Sequence, residues 1–197
     1  MKSRVVIRLG LSPEQAGRLQ ALQRLFADAC NFIAPTVAST RCWNRVGLHH
    51  MSYRVLRERF PQLGAQMACN AIYSVSRAAR RVYQDPDSPW GVAKRGAKPL
   101  PTLRFLPSAP VFFDRHTLSL KGGMLSLFTL DGRLRFQVNV PDEVEARFAN
   151  DKLREVVLIS DAQGFALRFL FGDADDAAPD PEDAELAVEI DEVMAHE

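Results

Sequence analysis

Residues 124–140, MLSLFTLDGRLRFQVNV, decide how this chain is to be folded. Leu134, Phe136, Val138 and Val140 alternate with Arg133, Arg135, Gln137 and Asn139, and a period of two puts the two sets on opposite faces of a strand. Asp131-Gly132, between this run and MLSLFTL, is a tight-turn signal, so the two runs read as a hairpin. The same period extends outward to TLSL at 117–120, LPTLRF at 100–105, LREVVLI at 153–159 and FALRFLF at 165–171. Lys121-Gly122-Gly123 and Asp161-Ala162-Gln163-Gly164 supply further turns, and PDEVEARFAND at 141–151 reads as a short helix. Near the N-terminus RVVIRL, 4–9, alternates Val5, Ile7 and Leu9 with Arg4 and Arg8, a half-buried strand with a basic outer face.

Between that first strand and the meander the period is helical. Ser12-Pro13-Glu14-Gln15 gives an N-cap, a proline at the first helical position and a capping-box glutamine. Ala16, Leu19, Leu22, Leu25, Phe26, Ala29 and Ile33 then keep helical spacing, and Pro35 is expected to end the helix. Residues 36–50 look irregular, a second helix is expected at about 51–60, and a third at about 63–84. On the third, Leu63, Met67, Ala71, Val75, Ala78 and Val82 form a core stripe. Gln66, Asn70, Ser74, Arg77 and Arg81 form a second, polar stripe without an acid, which has the character of a helix face laid on nucleic acid. Residues 84–101 are a hinge rich in Pro and Gly, exposing Lys94, Arg95 and Lys98.

The expected fold class is therefore α+β: a small antiparallel β-barrel of OB-like kind, with an inserted three-helix lobe and an acidic C-terminal tail. The barrel takes residues 1–10 and 99–172, the helical lobe 11–85, a linker 86–98 and the tail 173–197. Within that tail only LAVEI, at 186–190, could be a strand.

The net charge of +1 conceals a segregation. Residues 1–121 hold 19 Lys+Arg against 6 Asp+Glu, 122–172 hold 6 against 7, and 173–197 hold none against 11. The front of the chain wants a polyanion, and the tail is either a solvated tether or a competitor for the same basic surface. Twenty of the 25 basic residues are Arg, which suits bidentate phosphate contacts and equally suits codon bias toward Arg. No apolar run spans a membrane and no secretory signal opens the chain, so a cytoplasmic protein without membrane association is expected.

Chemistry-bearing constellations are sparse. Cys30, Cys42 and Cys69 lack metal spacing and are expected as reduced thiols, Cys30 and Cys69 in the core. His49 and His50 are adjacent, so their side chains diverge. Asp114 and His116 lack a nucleophile or third partner, so no catalytic residue, metal or cofactor is assigned and the protein is not expected to be an enzyme. Trp43, Tyr53, Tyr73 and Trp90 are stacking candidates, with Trp90 in the linker the foremost.

Several stretches together resemble the N-terminal half of TnpB-like proteins, transposon-encoded RNA-guided nucleases related to small type V CRISPR effectors. They are VVIRLGLSPEQAGRLQAL (5–22) with ACNFIA (29–34), RERFPQLGAQMACNAIYSVSRAARRVY (57–83), KPLPTLRF (98–105) and FFDRHTLSLKGGMLSLFTLDGRLRF (112–136). The resemblance implies a wedge barrel that grips a guide RNA and a helical lobe that, with the barrel, holds target duplex DNA. In this chain Gln66, Asn70, Ser74 and Arg77 would take that role, while base pairing reads the target. The family's nuclease half, with three carboxylates for two metal ions and a zinc ribbon, has no counterpart here. Its opening G-[IV]-D-x-G strand is matched best by Glu189-Ile190-Asp191-Glu192-Val193, an aspartate without the glycines.

The expectation is a nuclease-deficient TnpB-like RNA-binding protein that holds a guide RNA and target DNA without cleavage, or lends its recognition half to a separately encoded nuclease subunit. The expected nucleic-acid-binding residues are Arg4, Arg8, Gln66, Asn70, Ser74, Arg77, Arg81, Lys94, Arg95, Lys98 and Arg104. The alternative is a protein-interaction or regulatory adaptor whose acidic tail mimics nucleic acid.

Overall fold

A computed structural model describes residues 3–172 and the backbone of 188–191. The remainder of the expected acidic tail, and the side chain of Asp191, lie outside the described residues. The fold is α+β, with antiparallel strands throughout. Its residues divide into two compact units, one of residues up to Gln23 and from Pro110 on, the other of Arg24–Ala109 with 188–191.

The strand unit contains β1 (Ser3–Arg8), β3 (Val111–Phe113), β4 (Leu118–Lys121), β5 (Met124–Thr129), β6 (Gly132–Gln137), α5 (Asp142–Asn150), β7 (Leu153–Asp161) and β8 (Gly164–Phe171). One sheet runs β1-β8-β7-β3 and a second β4-β5-β6. The expected return of the first strand is present, with Ile7 opposite Leu167. The expected barrel is not: among the described residues the strands form separate open sheets, and no closed barrel is found. The hairpins follow the glycines, since Gly122, Gly123, Gly132 and Gly164 have φ of 60°, 70°, 93° and 108°, values that a Cβ disfavours. VFF at 111–113 is a strand that the period missed, because three buried residues show no alternation.

The helical unit contains most of α1 (Pro13–Thr40), with α2 (Arg45–Arg59), α3 (Gly64–Ala79), the short α4 (Val92–Arg95) and a two-stranded ribbon of β2 (Thr102–Phe105) and β9 (Val188–Asp191). The capping box at the start of α1 is formed: Gln15 N–H donates to Ser12 Oγ at 3.2 Å, and Ser12 N–H donates to Gln15 Oε1 at 2.9 Å. Pro35 does not end α1, which continues to Thr40. Proline in a helix costs about 3 kcal/mol, but Ile33, Ala34 and Val37 around it are fully buried, and burial of a branched aliphatic side chain offsets roughly 1.5–3 kcal/mol each. The 36–50 segment is accordingly helical at both ends, and α2 starts at Arg45 because Asn44 Oδ1 accepts from Val46 and Gly47 N–H.

α3 is buried nearly all round, from Met67 and Ala68 to Ala78 and Ala79. Its small residues fasten its neighbours: Cys30 of α1 donates weakly to the Ala71 carbonyl, and Ser76 Oγ donates to the Trp43 carbonyl at 2.6 Å. Past α3 a wide turn, Arg80–Gln84, carries fully buried Tyr83, whose hydroxyl donates to the Pro101 carbonyl at the start of β2. The expected linker at 86–98 is thus part of this unit, as is β2, which was expected in a barrel. Gly91 has a packing reason to be there, since a Cβ would stand 2.6 Å from the Asp85 carbonyl oxygen.

Candidate nucleic-acid interface

The two units differ in how their cations are spent. Residues 24–109 hold 13 Lys+Arg against 4 Asp+Glu, whereas 3–23 and 110–172 together hold 11 against 9. In the strand unit several guanidiniums serve the fold, while exposed Arg135 and Arg154 have no side-chain hydrogen-bond or ionic partner among the described residues. Arg8, an expected binding residue, forms a two-pronged ion pair with Asp161 in the β7-β8 turn. That pair holds the Asp161 carboxyl below the usual carboxylate range, helped by the Gln163 N–H. Arg18 donates to Thr129 Oγ1 at 2.8 Å, Arg115 to the carbonyls of Phe148 and Asp151, and Arg133 to Ser126 and the His116 carbonyl. Arg4 is half-buried on β1.

The expected polar stripe on α3 is not a continuous exposed face. Gln66 is exposed and Arg77 half-buried, but Asn70 and Ser74 are 7% and 2% exposed, so neither stands at a surface where a base edge could be read. Asn70 Nδ2 lies 3.6 Å from Met67 Sδ, and Ser74 bonds the Cys30 thiol. These residues are helix-packing groups whose polarity is used inside the unit. Arg81 is half-buried, with Nη1 buried and unpartnered.

The loop cations are closer to expectation. Lys94 and Lys98 are exposed, Lys94 Nζ donating to the Asp87 carbonyl at 2.9 Å. Arg95 is partly occupied by the fold: it donates twice to the Pro99 carbonyl and lies over the Trp90 ring, 5.5 Å from its centroid. That contact shares out the foremost stacking candidate. Tyr53 stacks on His49 at 4.6 Å, and Arg45 covers Tyr73 at 4.9 Å. Arg104 is exposed on β2, opposite Glu189 of β9 in the antiparallel register.

The structure also brings together residues that the sequence left apart. Arg41, Cys42, Trp43 and Asn44, between α1 and α2, meet Arg80 and Gln84 at the end of α3 and line a groove of about 550 Å³. Arg41 takes the left-handed backbone conformation, with φ of 55°, and one guanidinium nitrogen donates to the Lys98 carbonyl at 2.8 Å. Trp43 is half-buried, its ring 5.6 Å from that of Tyr83 and its indole N–H donating to Gln84 Oε1 at 3.2 Å. Arg80 is exposed. Among the described residues no acidic side chain lines the groove. No protein-family model matches this chain, and no curated protein matches it at a significant level. The functional reading therefore rests on the site itself.

Of the six lining residues only Trp43 was a candidate from sequence; the acid-free pairing of RCWN at 41–44 with RRVYQ at 80–84 is invisible until α1 and α3 pack. Elsewhere, among the described residues, no three His, Cys, Asp or Glu side chains gather as a metal site. Asp114 and His116 belong to a turn rather than a strand face: Asp114 Oδ1 accepts from the His116 and Thr117 N–H groups. Cys30 is fully buried and its thiol is pushed up to about 12 by that burial, which keeps it protonated and inert. Cys69 is half-buried, less enclosed than expected. No helix among the described residues is long and apolar enough to cross a membrane.

Proposed function

We propose that this chain is a nucleic-acid-binding protein of TnpB-like character, holding a guide RNA and target duplex DNA without cutting either, or serving as the recognition half of a split nuclease with a separately encoded catalytic subunit. The observation that carries the reading is the charge of residues 24–109, 13 cations against 4 acids, to which β9 adds only Glu189 and Asp191, combined with exposed Arg41, Arg80, Lys94 and Lys98 in that unit. Such an excess binds a polyanion by releasing its counterions, so affinity falls steeply with salt. Arginine gives two-pronged phosphate contacts, and sequence would be read by base pairing with the RNA.

The test is to purify the full chain, sequence any RNA that accompanies it, and measure binding of that RNA and of duplex DNA across a salt series. The expected result is co-purified RNA and a log–log salt slope of several units. Absence of RNA together with absence of salt-dependent binding overturns the proposal.

The adaptor reading draws on β9, which seats an acidic stretch of the C-terminal region on β2 of the basic unit. Neutralising the six acids from Asp173 to Asp183 separates the two readings while leaving β9 in place. Nucleic-acid affinity rises if the acids compete in cis, and capture of a basic partner protein is lost if they serve in trans.

A further inference from the structure

We infer that the groove between Arg41 and Arg80 is a pocket for one unpaired nucleotide, stacking the base on Trp43 and favouring bases that present carbonyl oxygens. This inference deepens the nucleic-acid reading and rests on it.

The groove is rich in donors and poor in acceptors. Asn44 Oδ1 is committed to two backbone N–H groups, and Gln84 Oε1 to the Trp43 indole N–H. Both partners are donors, so the oxygen positions follow from chemistry, and each carboxamide leaves its NH2 for a ligand. Arg41 has spent one nitrogen on the Lys98 carbonyl, and Arg80 has no hydrogen-bond or ionic partner among the described residues. Each of the four polar side chains of the groove therefore offers donors, while Asn44 Oδ1 is filled and Gln84 Oε1 keeps one lone pair. Donors outnumber acceptors, so the groove suits a ligand that brings acceptors, and two guanidiniums with no lining acid among the described residues call for an anion. The half-buried indole adds a flat apolar surface, and about 550 Å³ is room for a nucleotide.

Phosphate plus a planar, carbonyl-bearing ring meets all of these demands. Uracil offers O2 and O4, and guanine offers O6 and N7, whereas adenine has no carbonyl oxygen and its exocyclic amino group would face a carboxamide NH2 donor to donor. Stacking on an aromatic side chain is tolerant of base identity, so the preference comes from these edges and is modest.

The experiment uses the full chain carrying Trp90→Phe, which leaves Trp43 as the sole tryptophan. Octamers of uridylate and adenylate are titrated with two readouts, Trp43 emission and polarisation of labelled RNA. Expected are saturable quenching of Trp43, tighter binding of the uridylate octamer, and about tenfold weaker binding when exposed Arg80→Ala is added, circular dichroism being unchanged. Binding seen by polarisation with Trp43 emission unaltered overturns the pocket and leaves the nucleic-acid reading standing. Binding in neither readout overturns the pocket, and the nucleic-acid reading is then decided by the co-purified RNA and the duplex titrations. Equal quenching by inorganic phosphate at the same concentration makes the groove a simple anion site and overturns the nucleotide assignment. Equal affinity for the two octamers overturns the carbonyl preference.

Discussion

The strand unit and the helical unit are both arginine-bearing, yet only one of them holds arginine in large excess over acid. In the strand unit Arg8, Arg18, Arg115, Arg133 and Arg147 donate to carboxylates, hydroxyls and backbone carbonyls of the same unit. In the helical unit Arg54, Arg57 and Arg95 are likewise engaged, but at the groove the Arg80 side chain has no hydrogen-bond or ionic partner among the described residues, and Arg41 has committed one nitrogen. The comparison teaches that a surface for a polyanion is found by following where the N–H donors go, rather than by counting cations. Satisfied guanidiniums stabilise the fold, and unspent ones are available to a ligand.

The sharpest way to break this contrast is reversal of charge on each side. Arg41→Glu with Arg80→Glu is expected to weaken RNA binding by about a hundredfold or more and to flatten its salt dependence. Arg115→Ala is expected to leave binding nearly unchanged in polarisation assays, while freeing the Phe148 and Asp151 carbonyls and lowering stability. If Arg115→Ala lost binding as severely as the double reversal, the contrast would fail.

A second test concerns what holds the helical unit in shape. Tyr83→Phe removes the donor to the Pro101 carbonyl, and leaving that acceptor unpaired costs about 1–3 kcal/mol, read by urea denaturation. Its own ionisation is not a factor at neutral pH, since burial pushes the hydroxyl up to about 12. Asn44→Ala is expected to cost less, about 1 kcal/mol, through loss of the α2 cap, and to weaken nucleotide binding as well. A stabilised Asn44→Ala protein would show that the cap assignment is wrong.

The smallest effect is expected at Arg8 and Asp161. Because Arg8 depresses the folded carboxyl, its stabilisation is complete above the ordinary aspartate value of about 3.9 and is lost as pH falls through the lower folded value. Asp161→Asn should therefore remove a small acid-side slope from the stability profile and leave RNA affinity at neutral pH unaltered. Both side chains are nearly half exposed, so solvent screening keeps the contribution modest.

Local signals survived the passage from sequence to structure wherever a few neighbouring residues carry the whole cause. The capping box at Ser12 and Gln15 is formed as its spacing requires, and the Gly turns close the hairpins because only glycine takes their φ without strain. The signals that misled depend on partners far along the chain. Pro35 is a helix breaker by its own chemistry, but burial of Ile33, Ala34 and Val37 overrides it. Asn70 and Ser74 share a stripe with Gln66 and Arg77, and nothing in that spacing tells that another helix covers the middle of it.

What the sequence determined by itself was the alternation of helix and strand, the turns, and the gathering of positive charge toward the front of the chain, because each is a property of residue type and short spacing. Tertiary structure alone decided that the sheets stay open, that the VEID strand pairs with β2, and that Arg41, Trp43 and Asn44 meet Arg80 and Gln84. The reason is physical: a side chain's donors and acceptors acquire meaning only when long-range packing settles which of them are already satisfied.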